Sequence, residues 1–229
     1  MSAKTGLTKR QQQIKAFVDE RGITELFQFS REANLESILQ VGLYPRARLE
    51  EKRLSYESND HERRDGHLES VSLSISFPNG KLLRKWMHSI ENQPVHWSVI
   101  VLEPDILWKR ECAFFETNAA NRCFEGHTRR QHMTVQSLRA LFAEEVNGIT
   151  RSGTPWLRDE DPTDPQAEVL VFGHIARKRI RRVIVGNRAM CHALERTFRQ
   201  LRVILDETWS NKRTIGYFAT RDTYLRGRR

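Results

Sequence analysis

Short segments with the residue pattern of β-strands recur along the whole chain, and helical segments of unequal length separate them. Residues 71–77 alternate between apolar and serine side chains, which predicts a strand with one buried face. Residues 97–102 are predominantly apolar, as in a strand buried on both faces. We further predict strands at 26–29, 168–172, 182–185 and 202–205, and helices at 8–21, 34–39, 81–90, 134–145 and 189–201. This irregular order indicates a mixed α+β fold, and no GxGxxG turn of a dinucleotide-binding βαβ unit is present.

Two long polar segments separate the predicted elements. Residues 46–70 and 150–166 are rich in charged side chains, or in proline and glycine, and lack a helical or strand period. We predict that both are exposed loops. Loops of this length in a compact domain are usually functional or disordered, so both are candidates for a functional role.

The composition is that of a soluble globular protein with one well-buried domain. The chain has 229 residues, 38% hydrophobic and 29% charged, and no apolar run reaches the roughly 18 residues that span a bilayer. The N-terminus lacks the apolar core of a secretory signal. Cys112, Cys123 and Cys191 are too few, and odd in number, for a disulfide framework. We therefore expect a reducing, cytoplasmic location without membrane contact.

The positive charge is concentrated near the C-terminus. The net charge is +9, and residues 174–229 hold 15 lysines and arginines against 4 acidic residues. A one-sided basic surface is typical of nucleic-acid binding, although a solvated basic tail has the same composition. Within the densest run, 177–182, we expect Arg177 and Lys178 to contact the phosphate backbone.

Two sets of residues have the chemistry of a site. Glu168 lies where a polar loop meets an apolar strand, so that a rigid strand would hold its carboxylate at a cleft; an edge-strand glutamate in solvent fits the same spacing. Cys112, Cys123, His127 and His132 contain zinc-ligand types, but their spacings match no standard zinc module. We expect no metal.

Several short blocks occur in a defined order over residues 23–190. They are LFQFS at 26–30, NL at 34–35, GL at 42–43, RDGH at 64–67, LSISFPN at 73–79, CAF at 112–114, TNAA at 117–120 and TDPQAEVLVF at 163–172. Together these blocks resemble the DarT family, the DNA ADP-ribosyltransferase toxins of bacterial toxin–antitoxin systems.

The resemblance implies a fold and an activity. The fold would be an ADP-ribosyltransferase-type split β-sandwich with flanking helices and NAD, the substrate, in the cleft between two small sheets. Residues 23–229 would form this domain with its basic C-terminal part, and residues 1–22 a helical extension. The activity would be ADP-ribosylation of a base in single-stranded DNA, as a toxin or in phage defence. The implied partner is a cognate antitoxin with ADP-ribosyl-hydrolase activity.

The resemblance also assigns catalytic and NAD-binding residues. Glu168 would stabilise the oxocarbenium character at the ribose C1′ by binding the 2′-OH, and Arg64 would contact NAD phosphates or DNA and assist the transfer. The implied NAD contacts are Gln28, Phe29, Ser30, Asn34, Leu35, Ser74, Ser76 and Phe77. Gln28 stands where the family usually has histidine and offers similar hydrogen bonds without titrating. From the residues alone, Asn34 could equally cap a helix.

The implied DNA contacts are Gln166, Arg63, His67, Asn118, Arg177 and Lys178. The Gln166 amide both donates and accepts, which suits guanine or thymine. Its Gln-x-Glu pattern resembles guanine-modifying toxins of the wider superfamily. The thymidine-modifying branch usually lacks this glutamine and has a different string at 74–79. We therefore favour guanine, with thymine as the alternative.

Two other classes of protein remain open. An ADP-ribosyltransferase of the same fold could act on RNA or protein, since the fold does not fix the acceptor. A nucleic-acid-binding module without catalysis is also compatible with the Gln28 departure.

Overall fold

The computed structural model describes residues 6–57, 65–87 and 96–206. The strands are β1 (Leu26–Arg31), β2 (Ser70–Ile75), β3 (Trp97–Leu102), β4 (Cys112–Phe115), β5 (Glu145–Val146), β6 (Ile149–Thr150), β7 (Glu168–Phe172), β8 (Ile180–Val185) and β9 (Arg202–Leu205). The α-helices are α1 (Lys9–Glu20), α2 (Leu35–Val41), α3 (Arg46–Glu51), α4 (Gly80–Met87), α5 (Ile106–Lys109), α6 (Val135–Ala140) and α7 (Arg188–Thr197). The predicted α+β class is confirmed.

Seven strands form one sheet in the order β4-β7-β2-β1-β3-β8-β9, and β5 and β6 form a separate hairpin. All pairs in the large sheet are antiparallel except β8 with β9. At the centre, β1 pairs with β3 along six residues but with β2 only at Leu26↔Ile75 and Phe27↔Ser74. Beyond Phe27 the two strands separate, so the sheet splits into two halves that remain joined at one end.

The main core covers one face of both sheet halves. Leu73, Val169 and Val183 point into it from the strands, and α1 contributes Ile14, Phe17 and Val18. Thr8 precedes α1 and forms a capping box with Gln11. Helix α1 is thus packed into the same core as the sheet, whereas the predicted boundary at residue 22 stays a prediction.

Two smaller clusters cover the other faces. Phe27, Trp97 and Ile184 pack with Leu83 and Trp86 of α4 on the β1–β3–β8 half. On the β4–β7 half, Phe115, Leu170 and Phe172 lie under Phe124 and Met133. The cap on that second half comes from the segment that follows β4, which brings the segment close to the start of β7. The complete cluster contains Ala113, Phe115, Ala119, Leu170 and Phe172, and Phe124 and Met133 pack against it.

Three sequence predictions need correction. Residues 150–166 are not exposed throughout, because Asp161, Thr163 and Asp164 are buried. Residues 46–70 are not one loop, because α3 forms within them. Ion pairs between residues three or four positions apart, Arg46 with Glu50 and Arg48 with Glu51, support this helix. Its residues are mostly charged, and no apolar period in the sequence indicates it. The helix predicted at 134–145 ends at Ala140, and the β5–β6 hairpin follows. The short elements β4 and α5 were not predicted, since four residues give too little periodicity.

The termini of several predictions lie outside the described residues. These are positions 88–90 of the predicted 81–90 helix and residues 207–229 of the basic C-terminal part. Within the described ranges, no helix combines the length and apolar character needed to cross a membrane.

Candidate active site

A cleft opens where β1 and β2 separate. Its volume is about 760 Å³, within the roughly 300–1,000 Å³ typical of ligand pockets. The predicted site residues on its wall are Gln28, Phe29, Ser30, Asn34, Ser74, Asn118 and Glu168. Residues that are 140 positions apart in sequence therefore meet at one cavity because the sheet splits there.

Glu168 is held from two sides at the edge of this cleft. It is the first residue of β7 and pairs with Phe115 of β4. Its Oε1 accepts a hydrogen bond from Ser72 Oγ, and its Oε2 accepts one from the Ala119 N–H at 2.8 Å. The side chain remains partly exposed to the cleft. A carboxylate fixed in this way is pre-oriented to accept a further hydrogen bond from a substrate hydroxyl.

Three serines of the alternating segment 71–77 have different positions. Ser72, which sequence reasoning did not select, contacts Glu168 diagonally across the β2–β7 ladder, since the register pairs Ser72 with Leu170, two residues beyond Glu168. Ser74 lines the cleft. Ser76 does not line it; its Oγ donates to the buried Asp161 at 2.8 Å. Alternation predicts one face for all three serines, and the register by itself would continue to Ser74 opposite Glu168, so only the side-chain geometry identifies Ser72 as the partner.

The β1 side of the cleft supplies an amide and aromatic rings. Gln28 lines the cleft, and its Oε1 is buried with no hydrogen-bond partner among the described residues. Leaving such a group unpaired costs about 1–3 kcal/mol, so this acceptor fits a ligand that brings a donor. Phe29 packs edge-to-face on Trp97 at 5.7 Å, and both rings line the cleft. Phe77 is buried in the cluster behind them and does not reach the wall.

Asn34 joins the mouth of the cleft to the end of the 54–57 segment. Its Nδ2 donates to Glu57 O at 2.8 Å and to Ser30 Oγ at 3.1 Å, and its Oδ1 accepts the Glu57 N–H at 2.8 Å. Arg31 pairs with the Glu57 carboxylate at 2.9 Å. Asn34 makes no side-chain cap on α2, which excludes that alternative. Leu35 is fully buried in the core and does not line the cleft.

The wall of the cleft includes a guanidinium that sequence reasoning missed. Arg46 lines it together with Tyr44 and Tyr56. Arg46 Nε donates to Tyr56 OH at 3.0 Å and to Glu50 Oε1 at 3.1 Å. Burial lowers the pKa of Arg46, but these two hydrogen bonds outweigh it and leave the pKa above its ordinary value. A guanidinium held in this way suits a phosphate group of a ligand.

The predicted acceptor-side residues lie around Glu168. Gln166 is partly exposed, two residues before Glu168, and its N–H donates to Asp164 Oδ1 at 2.8 Å. Asn118 lines the cleft. His67 packs edge-to-face on Phe172 at 5.9 Å, outside the cleft wall. Gln166 does not line the cleft, whereas the next two residues, Ala167 and Glu168, do.

The basic run at 177–182 is largely engaged in internal contacts. Arg177 Nε donates to Leu39 O at 2.8 Å, Arg179 pairs with Asp105, Arg181 donates to Thr24 O at 2.8 Å, and Arg182 donates to Glu25 Oε2 at 2.6 Å. These contacts attach the start of β8 to its neighbours. Lys178 is exposed. The run therefore stabilises the fold, and of its side chains Lys178 is the most accessible to a phosphate.

Other arginines are exposed in the segment between β4 and α6. Arg122 and Arg130 belong to the segment that follows Asn118, and neither forms an ion pair within the described part of the chain. Sequence reasoning missed them because they stand apart from any basic run. The predicted Arg63 and Arg64 lie outside the described residues.

The alternative zinc set does not come together. Cys112 is buried in β4 and Cys123 is exposed. His127 Nδ1 lies 3.1 Å from His132 Nε2, and the His132 ring stacks on Phe115 at 4.2 Å. Burial and the neighbouring His127 lower the pKa of His132. In the described ranges, no group of three or more His, Cys, Asp or Glu side chains could hold a metal ion.

Solved structures share this fold at low sequence identity. Thermosipho africanus DarTG in complex with ADP-ribose has a TM-score of 0.57 and 14% identity, over 82% of this chain and 51% of that chain. Thermus sp. 2.9 DarT in complex with NAD+ has a TM-score of 0.52 and 14% identity, over 81% and 96%. The same DarT in complex with ADP-ribosylated ssDNA has a TM-score of 0.51 and 14% identity, over 82% and 96%. The chain spans about half the length of the Thermosipho DarTG chain.

These solved structures share the fold of the chain, and in this chain Glu168 lies at the wall of the cleft with Ser72 and the Ala119 N–H as partners. A family model described as "ssDNA thymidine ADP-ribosyltransferase, DarT" matches residues 27–212. This match covers most of the sequence, and the chain therefore belongs to the DarT family. Comparison with curated proteins gives no match.

Proposed function

We propose that this chain transfers the ADP-ribose of NAD to a base of single-stranded DNA, with Glu168 as the catalytic carboxylate and guanine as the preferred base. The observation that carries the proposal is the position of Glu168, which Ser72 and the Ala119 N–H hold at the wall of the cleft. A solvated edge-strand glutamate would lack these two contacts.

The reaction exchanges one C–N bond for another. The bond between nicotinamide and the ribose C1′ breaks, nicotinamide leaves with the electron pair, and C1′ gains oxocarbenium character. Glu168, through a hydrogen bond to the 2′-OH, stabilises this charge. A nitrogen of the acceptor base then forms the new bond to C1′, and its proton is released to solvent.

The residues present fit NAD as the substrate. The unpaired Gln28 Oε1 is an acceptor for an amide or hydroxyl of the ligand, and Ser30 and Ser74 add hydroxyls along the same walls. We assign Arg46, on the wall of the cleft, to the pyrophosphate. Thermus DarT has been solved with NAD+, which supports this use of the cleft.

Single-stranded DNA is the acceptor that we propose, on the support of the family and of the Thermus DarT complex with ADP-ribosylated ssDNA. Gln166 and Asn118, on either side of Glu168, are proposed to contact the base. Exposed Arg122 and Arg130 are proposed to contact backbone phosphates. The contribution of Arg63, Arg64, His67, Arg177 and Lys178 to DNA binding stays a prediction.

The choice of base depends on Gln166. Its amide can pair with the donor and acceptor edge of guanine, and the Gln-x-Glu pattern favours guanine. The family description names thymidine, which makes thymine the second candidate. Mass spectrometry of oligonucleotides that each contain one guanine or one thymine, incubated with the enzyme and NAD, separates the two. We expect adducts on guanine; adducts that follow thymine and ignore guanine would overturn the preference.

The acceptor class needs its own test. Labelled NAD is offered with equal amounts of single-stranded DNA, RNA and a protein extract, and the labelled product is identified by nuclease and protease sensitivity. We expect label on DNA. Label on RNA or protein would point to the other acceptors of this fold, and DNA binding without nicotinamide release would indicate a module without catalysis.

The biological setting follows from the same proposal. ADP-ribosylated template bases would block replication, so we propose a cytoplasmic toxin of a toxin–antitoxin or phage-defence system, opposed by an antitoxin with ADP-ribosyl-hydrolase activity. Growth after induced expression, with and without a DNA ADP-ribosyl-hydrolase, tests this. We expect growth arrest that the hydrolase relieves. Normal growth during measurable DNA modification would contradict the toxin role.

A further inference from the structure

A buried carboxylate organises the loop that ends at Glu168. Asp161 is 0% exposed. Its Oδ1 accepts hydrogen bonds from Ser76 Oγ at 2.8 Å and from Arg158 Nη2 at 3.0 Å. Its Oδ2 accepts the backbone N–H and the Nε of Arg158, at 3.1 and 3.2 Å. A buried charge with this many partners fixes the chain around it.

The rest of the loop is attached to this centre. Arg151 Nη1 donates to the Asp161 carbonyl at 2.8 Å, and its Nη2 donates to the Arg158 carbonyl at 2.9 Å. Further along, Asp164 is 1% exposed and accepts the Gln166 N–H at 2.8 Å. Arg151 Nη1 also donates to Thr163 Oγ1 at 3.3 Å, so hydrogen bonds fix the loop backbone at successive points from Asp161 to Gln166.

Ser76 connects this loop to strand β2. Its φ of +56° lies in the left-handed region, which costs free energy for a residue other than glycine. Strand β2 thus holds the loop at two points, through Ser76 to Asp161 and through Ser72 to Glu168. Gln166 lies between these two points, and neither Ser76 nor Asp161 lines the NAD cleft.

We infer that Asp161 and Ser76 are positioning residues, which place Gln166 against the acceptor base and so control transfer to DNA rather than binding of NAD. The inference rests on the proposed function, because it takes a DNA base as the group that Gln166 faces. A displacement of about 1 Å in such a contact can slow a reaction about 100-fold. The family resemblance implied a contact between Ser76 and NAD, whereas Ser76 binds Asp161 outside the cleft wall.

The test compares Asp161→Asn and Ser76→Ala with Asp159→Asn. Asp159 is exposed in the same loop and serves as the matched control. Two quantities are measured on folded protein: the rate of transfer to a single-stranded oligonucleotide at saturating NAD, and the Kd for NAD by calorimetry. We expect transfer to fall about 10-fold or more in both test variants, with the Kd for NAD unchanged and with Asp159→Asn equal to the wild type.

A second serine variant separates positioning from backbone strain. Ser76→Gly removes the hydroxyl and also relieves the strain of the positive φ. We expect it to lose transfer activity as Ser76→Ala does, and to be at least as stable as Ser76→Ala. It also decides the matter if Asp161→Asn does not fold. Normal transfer in both serine variants, or a loss of NAD affinity that parallels the loss of transfer, would overturn the inference. A wild type that modifies no DNA would instead refute the proposed function.

Discussion

Glu168 depends on two neighbours that differ in kind. The Ala119 N–H is a backbone donor that only a substitution by proline would remove, whereas Ser72 contributes a hydroxyl that can be deleted alone. Preorganised groups of this type account for much of the rate enhancement of an enzyme. Removal of the Ser72 hydroxyl therefore tests how the orientation of the Glu168 carboxylate affects the rate, while the carboxylate itself stays in place.

Replacing Ser72 with alanine is expected to slow the chemical step. The variant removes the Ser72 hydrogen bond to Glu168, and we expect kcat to fall about 10-fold, a little over 1 kcal/mol, which is the ordinary net value of one such bond. The KM for NAD should change little. Steady-state nicotinamide release measures both, with Ser152→Ala, an exposed serine outside the cleft wall, as the control. A raised KM with normal kcat would show that Ser72 binds substrate instead.

Glu32 gives the stability of the fold a dependence on pH. It is 6% exposed, and burial raises its pKa from 4.5 to about 7, partly offset by a hydrogen bond from the Gly186 backbone. The folded state holds the Glu32 proton more strongly than the unfolded state does. The contribution of protonated Glu32 to the free energy of unfolding is therefore complete below pH 4.5 and is lost as the pH rises through 7. The loss is on the order of 3 kcal/mol.

Glu32→Gln should remove this dependence. We expect the variant to match the wild type near the acidic end of that window and to be more stable by up to about 3 kcal/mol at pH 8. Urea unfolding of both proteins across the pH range gives the difference directly. A constant difference between them at every pH would show that Glu32 does not titrate in this window.

At the scale of elements, local sequence patterns predicted the two strands that form the site. They did not predict which side chains of these strands meet. The two-residue period of 71–77 and the apolar run after Glu168 predicted β2 and β7 correctly, since strand periodicity is a local property. That Ser72 rather than Ser74 meets Glu168 depends on pairing across nearly a hundred residues of sequence. The engagement of the basic run likewise depends on partners from distant elements.

The turn after α2 is an element that tolerates no side chain. Gly42 has φ of +90°, and a Cβ there would lie 2.2 Å from the Ile175 carbonyl. Gly42→Ala should therefore destabilise the protein by about 2 kcal/mol or more, through clash and strain together. Gly22→Ala is the control, because its φ is also positive but its Cβ would meet nothing. Equal losses in urea unfolding for the two variants would assign the whole effect to strain.

For the whole molecule, the question is which surface carries the DNA. Arg122 and Arg130 extend from the segment beside the cleft, whereas the 177–182 run is bound into the fold. The double variant Arg122→Ala/Arg130→Ala should weaken DNA binding. It should also make the slope of log K against log salt less steep by about 1.4, because each lost phosphate contact contributes about 0.7. Lys178→Ala should change the slope less. A titration series at several salt concentrations decides, and a larger change with Lys178→Ala would place the DNA at the other surface.

The central claim is that Glu168 catalyses ADP-ribose transfer to DNA. The most direct test is the rate of DNA adduct formation, followed by mass spectrometry, for the wild type, Glu168→Gln and the control Glu145→Gln. Glu145 is an exposed glutamate of the β5–β6 hairpin. We predict a loss of about 100- to 1,000-fold in Glu168→Gln and none in Glu145→Gln. An adduct rate in folded Glu168→Gln equal to that of the wild type would contradict the account.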